Sequence, residues 1–271
     1  MKTIFKSFAV AFTGVLLLTA CKKEATEAIA NDASNEISQE VLGQIKKLGF
    51  GTGSVQKVDE GYIVEGDILL TPKHLSSKSA DEFLRIGDEE QYRTSNTVYG
   101  LPRTLKVRVS TSMPNYTAYV KATNAAIARY NALGLLIKFT RVTSGGNIVI
   151  KPAPSGASYL ASAGFPTDGG NPYNQVLINN TYLGSCGSST RTSVLAHEIG
   201  HCIGFRHTDY MNRSYSCGGS AVNEGASTVG AKLIPGTPSG PSAGSWMLAC
   251  ISCGQDRPFT SYDKIALNYL Y

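Results

Sequence analysis

His197-Glu198-Ile199-Gly200-His201-Cys202-Ile203-Gly204-Phe205-Arg206-His207 gathers three of the chain's four histidines into eleven residues. On a helix, positions i and i+4 lie about 40° apart on one face, so His197 and His201 aim their imidazoles at one point. Glu198 neighbours the first of them, where its carboxylate reaches a water held at that point. A third imidazole six residues beyond His201 would fall badly if the helix simply continued. Gly204 removes the difficulty, because glycine takes the left-handed conformation that ends a helix and lets the chain swing His207 back. Three neutral nitrogens leave one position of a tetrahedral ion open, the arrangement of a catalytic zinc and not of a structural one. The run predicts one Zn2+ held by His197, His201 and His207, with Glu198 as general base. A bare His-Glu-x-x-His arises by chance, but the glycine and the third histidine in register make this pattern far more specific.

Outward from that run the pattern alternates. Leu105 to Val109 reads as a strand, and Val120, Ile127 and Tyr130 mark one face of a helix ending near Gly134. Leu135 to Val142 and Asn147 to Ile150 read as strands on either side of the turn Ser144-Gly145-Gly146. Gln175 to Asn179 is a short strand ahead of the histidine helix, which begins near Ser188 to Thr192. Gly218 to Gly244 has no period and reads as loop. Thr260 and Asp263 form a capping box for a last helix, with Ile265, Ala266 and Tyr269 expected inward. The fold class is α+β, in two parts, with a loop-rich tail that ends in a helix. Ahead of Thr97 the chain is thinner in apolar positions. Ile37, Val41, Leu42, Ile45 and Leu48 recur at helical spacing up to Gly49, a strand is expected around Tyr62 to Leu70, and a helix over Ser79 to Ile86. This front section is too lean for a core of its own and reads as an accessory or pro-region. The expected domains are a leader (1–20), a polar tether (21–39), a pro-region or accessory segment (40–96) and a catalytic domain (97–271).

The eleven-residue histidine pattern resembles the zinc-binding consensus of the metzincin peptidases, and His-Glu-Ile-Gly-His resembles the bacterial dual-action HEIGH metallopeptidases. The resemblance covers about Leu105 to Tyr271. It implies a zincin catalytic domain with a twisted mixed sheet and an active-site helix, acting as an endopeptidase on proteins or peptides. It also implies a methionine-containing turn beneath the metal, for which Met247 in Ser245-Trp246-Met247 is the candidate. By the same analogy Gln175 to Asn179 is the edge strand that binds substrate backbone. Val64-Glu65-Gly66-Asp67-Ile68 resembles the pro-peptide motif of astacins, in which an aspartate ligates zinc and blocks the open position. Two readings of Asp67 stand side by side: such a latch, released by cleavage after Arg85 or Arg93, or a strand and turn chosen for backbone geometry. One departure is plain. Astacins carry a tyrosine two residues after the turn methionine, and here that position is Ala249, leaving Tyr210, Tyr215 or Tyr262 to approach the metal instead.

The N-terminus belongs to targeting. Lys2 and Lys6 precede the apolar stretch Phe8 to Leu18, which is short for a bilayer span, and Leu18-Thr19-Ala20-Cys21 resembles a bacterial lipobox with Cys21 as the lipidated residue. A plain signal peptide is the alternative; both take the chain out of the cytoplasm. The lipobox implies a lipoprotein, and Glu24 and Glu27 close behind point to the outer membrane or cell surface, with release after processing as an alternative; a monomer is expected. Formal net charge is +5, or +3 once Lys2 and Lys6 are set aside, and no basic run is interleaved with aromatics, so nucleic acid is not expected as a partner. Cys186, Cys202, Cys217, Cys250 and Cys253 all fall in the last third; two disulfides and one free thiol is the simplest count, with the pairing open. The rival reading is a non-catalytic secreted binding or adhesion module with a structural zinc. It needs a fourth protein ligand, for which only Asp209 or Cys202 lies near, at the cost of distortion.

Overall fold

Ser38 accepts a hydrogen bond from the Val41 amide and starts α1 (Gln39–Lys47), so Ile37 lies just outside the helix while Ile45 points into the core. The computed structural model describes residues 37–48, 50–76, 91–224, 231–238 and 240–271. The leader, Cys21, most of the tether, Gly49, Arg85 and the helix expected over Ser79 to Ile86 lie outside the described residues. Residues Ile37–Tyr271 form one unit.

The expected strand over Tyr62 to Leu70 is two strands. After β1 (Gln56–Val58) come β2 (Gly61–Val64) and β3 (Ile68–Leu70), paired antiparallel with Val64 opposite Ile68. Glu65 and Gly66 both take left-handed backbone, φ 55° and 90°, and fold the chain back within three residues. A non-glycine residue there is uncommon, and the reason for Glu65 appears at the site. A short α2 (Pro72–Leu75) and β4 (Tyr92–Arg93) complete the front section.

The rest follows the alternation closely. β5 (Arg103–Val109), β6 (Ile137–Val142) and β7 (Ile148–Pro152) are parallel, with β5 between the other two. β8 (Ala161–Ala163) runs antiparallel to β9 (Gln175–Ile178), which is parallel to β7. The mixed sheet has eight strands in the order β1-β2-β3-β8-β9-β7-β5-β6. β9 is therefore interior, flanked by β7 and β8, and the expectation that Gln175 to Asn179 forms an edge is corrected. The antiparallel strand β8 is the last strand of the part after Thr97, and β3 covers its other side through one parallel pair, Ile68 with Ala163. Helix α3 (Tyr116–Asn131) packs over β5 and β6, with Ile127 and Tyr130 buried and Val120 at the margin. After the single turn α4 (Asn180–Leu183), helix α5 (Ser188–Ile203) packs on α3, β8 and β9. Nearly every residue of α5 after Arg191 is buried, as expected for a helix enclosed on all sides.

Beyond α5 come α6 (Ser214–Cys217), β10 (Lys232–Leu233), which pairs with β4, and α7 (Ser261–Leu270). Disulfides Cys186–Cys253 and Cys217–Cys250 tie this loop-rich tail down, and Cys202 is a buried free thiol. The capping box of α7 is present, but its inward face is not the expected one: Ala266 and Leu267 are buried with Asp263, whereas Ile265 and Tyr269 are exposed. Asp263 sets that phase. Besides capping the helix, its carboxylate accepts from Gln91, Ser245 and the Trp246 amide, so the polar anchor must face inward. No helix among the described residues is long and apolar enough to cross a membrane.

Candidate metal centre

Gly204 ends α5 with φ 111°. Its amide donates to His201 O and the Phe205 amide donates to Gly200 O, both at 2.9 Å, the paired bonds of a Schellman motif. A β-carbon on Gly204 would lie 2.8 Å from Asn96 O, so space as well as torsion demands glycine. The reversed chain is held from the front section: Arg206 N donates to Tyr92 O, and Thr94 N donates to Gly204 O. Arg93, bridged to Phe205 and paired with Lys232, sits between two neighbours, a poor cleavage point in the folded chain.

The turn brings His207 to the other two histidines, and each imidazole has its Nδ1 engaged. His197 Nδ1 lies 2.8 Å from Trp246 O, His201 Nδ1 2.8 Å from Phe205 O, and His207 Nδ1 3.1 Å from Glu224 Oε1. These are acceptors, so Nδ1–H donates and the Nε2 lone pairs face inward. His201 Nε2 and His207 Nε2 are 3.2 Å apart. Two lone pairs at that distance repel unless a cation lies between them. Tetrahedral zinc with bonds of about 2.0–2.1 Å spaces its ligands about 3.3 Å apart, so the residues fit the ion.

Asp67 reaches the same point, with Oδ2 3.1 Å from His207 Nε2 and 3.6 Å from His197 Nε2. The ligand atoms of Asp67, His197, His201 and His207 all lie within 4.8 Å of one another. Asp67 Oδ1, His197 Nε2 and Glu198 Oε2 are buried and have no hydrogen-bond partner among the described residues. Buried polar atoms of this kind, gathered beside three imidazoles, suit a cation held among them.

The charges agree. Burial, helped by the neighbouring His197 and His207, holds His201 well below the usual imidazole range, neutral and able to donate its lone pair. Burial also pulls His207 down, but Asp67 and Glu224 overcome it and raise the group far above its ordinary value. That field favours positive charge at Nε2, and a divalent cation competes for the proton's place. Burial pushes the Glu198 carboxyl well above the usual range, and the Asp67 charge adds to it.

Glu65 explains its own strained backbone. Its carboxylate accepts two hydrogen bonds from Arg206, each 3.0 Å, and both side chains are fully enclosed. The hairpin tip thus docks through Glu65 one residue ahead of His207, while Asp67 points at the histidines. The motif forms a turn that needs left-handed backbone, and that turn places the Asp67 carboxylate beside His197 and His207.

Met247 packs against α5 at Gly200, and its carbonyl accepts from the Thr208 amide. A β-carbon on Gly200 would come within 2.7 Å of Met247 Sδ and 3.1 Å of the Trp246 ring, so this mid-helix glycine makes room for the turn. Gly200→Ala is expected to lower stability by about 1–2 kcal/mol, the overpacking cost less the helix-propensity gain. It should also weaken metal retention by displacing Trp246 O from His197. A melting curve and zinc content measured on the same sample check this, and an unchanged or raised Tm would show the packing to be loose.

Other assignments change. Asp209 accepts from the Ala249 amide and from Ser216, and Cys202 is packed in the core, so neither approaches the histidines. Tyr210 packs on Tyr92 and Arg206, while Tyr215 and Tyr262 are exposed; none of them lines the cleft. The tyrosine on the cleft wall is Tyr159, near Glu198, with a buried hydroxyl lacking a hydrogen-bond partner among the described residues. Burial, with Glu60 and Glu198 nearby, pushes it up to about 12. Sequence reading missed Tyr159 and Glu224, since neither stands in a local pattern.

The family model described as dual-action HEIGH metallo-peptidase matches residues 63–271. No curated protein matches the chain. Among solved structures, "Structure of myroilysin" is similar at 16% identity, covering 65% of this chain and 96% of that one, with a TM-score of 0.43.

Proposed function

The chain belongs to the dual-action HEIGH metallopeptidase family and is a metallopeptidase acting on proteins or peptides, and from that premise we propose an exported zinc endopeptidase whose front section holds it latent. The observation that carries the zinc reading is the convergence of three Nε2 atoms, each with its Nδ1 tied to an acceptor. His197, His201 and His207 would hold the ion, with Met247 in the turn below. When bound, zinc supplies Lewis acidity and acidifies a water towards about pKa 7.

The remaining work falls to the chain. Glu198 is the general base: Oε2 is unpartnered, and a carboxyl raised by burial accepts a proton during attack and returns it to the leaving nitrogen. Asp67 covers the histidines from residues 40–96, the pro-region, and the Glu65–Arg206 pair fixes it there. The catalytic domain is residues 97–271. Lys2 to Leu18 and Cys21 support export and lipid attachment at the outer membrane or cell surface, and two disulfides suit an oxidising compartment. A monomer remains the expected state.

One observation favours the rival binding module: Asp67 makes a fourth protein group, and a closed set of four is what a structural zinc has. Metal analysis and casein hydrolysis on one sample of the full chain, as wild type and as Asp67→Ala, separate the two. The expected result is one zinc per chain, with cleavage stopped by chelation and restored by zinc. Chelation should also lower Tm, since an ion at 1,000 times its Kd stabilises the folded state by about 4 kcal/mol. Zinc without cleavage by either form would establish the module instead, and absence of zinc would overturn the site.

A further inference from the structure

The cavity beside His197 and Glu198 encloses about 280 Å³ and reaches past the histidine cluster. Val194, one helical turn before Glu198, forms an apolar wall with Leu248 and Ile251, and Arg257 also lines the cavity. Two contacts pin Arg257: its amide donates to Ser193 Oγ at 2.8 Å, and its Nη1 donates to Leu248 O at 3.2 Å. A guanidinium has five N–H donors, and that carbonyl is the one acceptor recorded for this one among the described residues. The carboxylates nearby are committed elsewhere. Asp256 bonds Arg129 at 2.6 Å and Ser193 at 2.7 Å, and Asp209 bonds the Ala249 amide and Ser216. The other cation on the wall, Arg213, is paired with Glu224 at 2.9 Å. Arg257 is left as a half-buried cation with no carboxylate hydrogen-bonded to it among the described residues, Asp209 acting on it through charge alone.

The sheet gives the cavity a side. β8 is antiparallel to β9, and its other edge carries only the single parallel pair with β3. A substrate strand replacing β3 in the stronger antiparallel sense runs from Ala163 towards Ser158. The cavity is bordered by Ser158 to Ala161, the segment that leads into β8, so it faces the part of the substrate that follows the scissile bond. We propose that this cavity takes the side chain immediately after the scissile bond and that Arg257 makes it selective for aspartate or glutamate there. The inference rests on the peptidase reading and names its substrate class. The apolar walls take the methylene stem, and the guanidinium takes the carboxylate.

The test uses the zinc-loaded full chain, as wild type and as Asp67→Ala. The substrate is an equimolar set of peptides at pH 7 differing at one position (Glu, Asp, Gln, Asn, Leu or Lys), with products read by mass spectrometry. Cleavage before Glu and Asp should exceed cleavage before Gln and Asn by about tenfold or more. Arg257→Gln should bring that ratio to about one, and Arg257→Glu should turn it towards Lys. Because each ratio is taken within one sample, loss of folded protein cancels. A wild-type Glu/Gln ratio near one, or a ratio that survives Arg257→Gln, overturns the proposal. Calorimetry with Glu-Ala-Ala and Gln-Ala-Ala supplies a readout that needs no turnover, and equal or absent binding of the two also overturns it. Failure to cleave casein as well would count against the peptidase reading itself.

Discussion

Glu198→Gln is expected to keep one zinc per chain, reduce kcat/KM by about 10³-fold, within the range that positioned acid–base groups contribute, and leave Tm unchanged or higher. The three parts follow from one placement. The metal stays because the histidines are oriented by Trp246 O, Phe205 O and Glu224, none of which involves Glu198. The rate falls because the amide cannot take the proton. Stability does not fall because the native carboxyl is fully buried with an unpartnered Oε2 and is repelled by Asp67. Neutralising such a group removes a cost that the fold carries for function. Zinc analysis, casein kinetics and a melting curve on matched samples check all three. A lower Tm with lost zinc would make Glu198 a structural residue, and retained hydrolysis would remove it as the base.

The histidines were legible because their geometry is local. Positions 197, 201 and 207 share one helix and one turn, and the glycine that breaks the helix stands between them in the sequence. What was not legible is long-range. Arg206 pairs with Glu65 across 141 positions. The motif Val64 to Ile68 advertised a turn or a ligand, and nothing near it pointed to Arg206. Glu224 lies in a loop without period and becomes a histidine partner only because the Glu224 amide bonds Tyr210 O and folds that loop back. The face of α7 was misread for a related reason. Hydrophobic residues at 265 and 269 suggested one stripe, whereas the buried polar Asp263, bonded to Ser245 and the Trp246 amide, selected another. The family analogy made Gln175 to Asn179 an edge, and a short strand beside the active helix carries no mark in the sequence of how many neighbours it has.

Asp67→Ala in the full chain should raise casein hydrolysis by about 10- to 100-fold, the equivalent of losing one charge-assisted contact of about 1.5–3 kcal/mol from the closed state. Zinc content should be unchanged, because the three histidines and their partners remain. Glu65→Ala should also raise activity, but by a different route and with a different cost. It leaves the fully enclosed Arg206 without the Glu65 carboxylate, and breaking a buried pair from one side costs about 3–5 kcal/mol. The two variants should therefore agree in releasing the site and disagree in Tm, with Glu65→Ala melting well below Asp67→Ala. That contrast distinguishes a latch from a permanent ligand. If Asp67 completes a structural zinc site, Asp67→Ala loses zinc and gains no activity, and Glu65→Ala destabilises the fold without releasing anything. If it is a latch, the carboxylate is the part that blocks and the ion pair is the part that holds. Trimming the front section should then reproduce the gain of Asp67→Ala in a chain where both are gone.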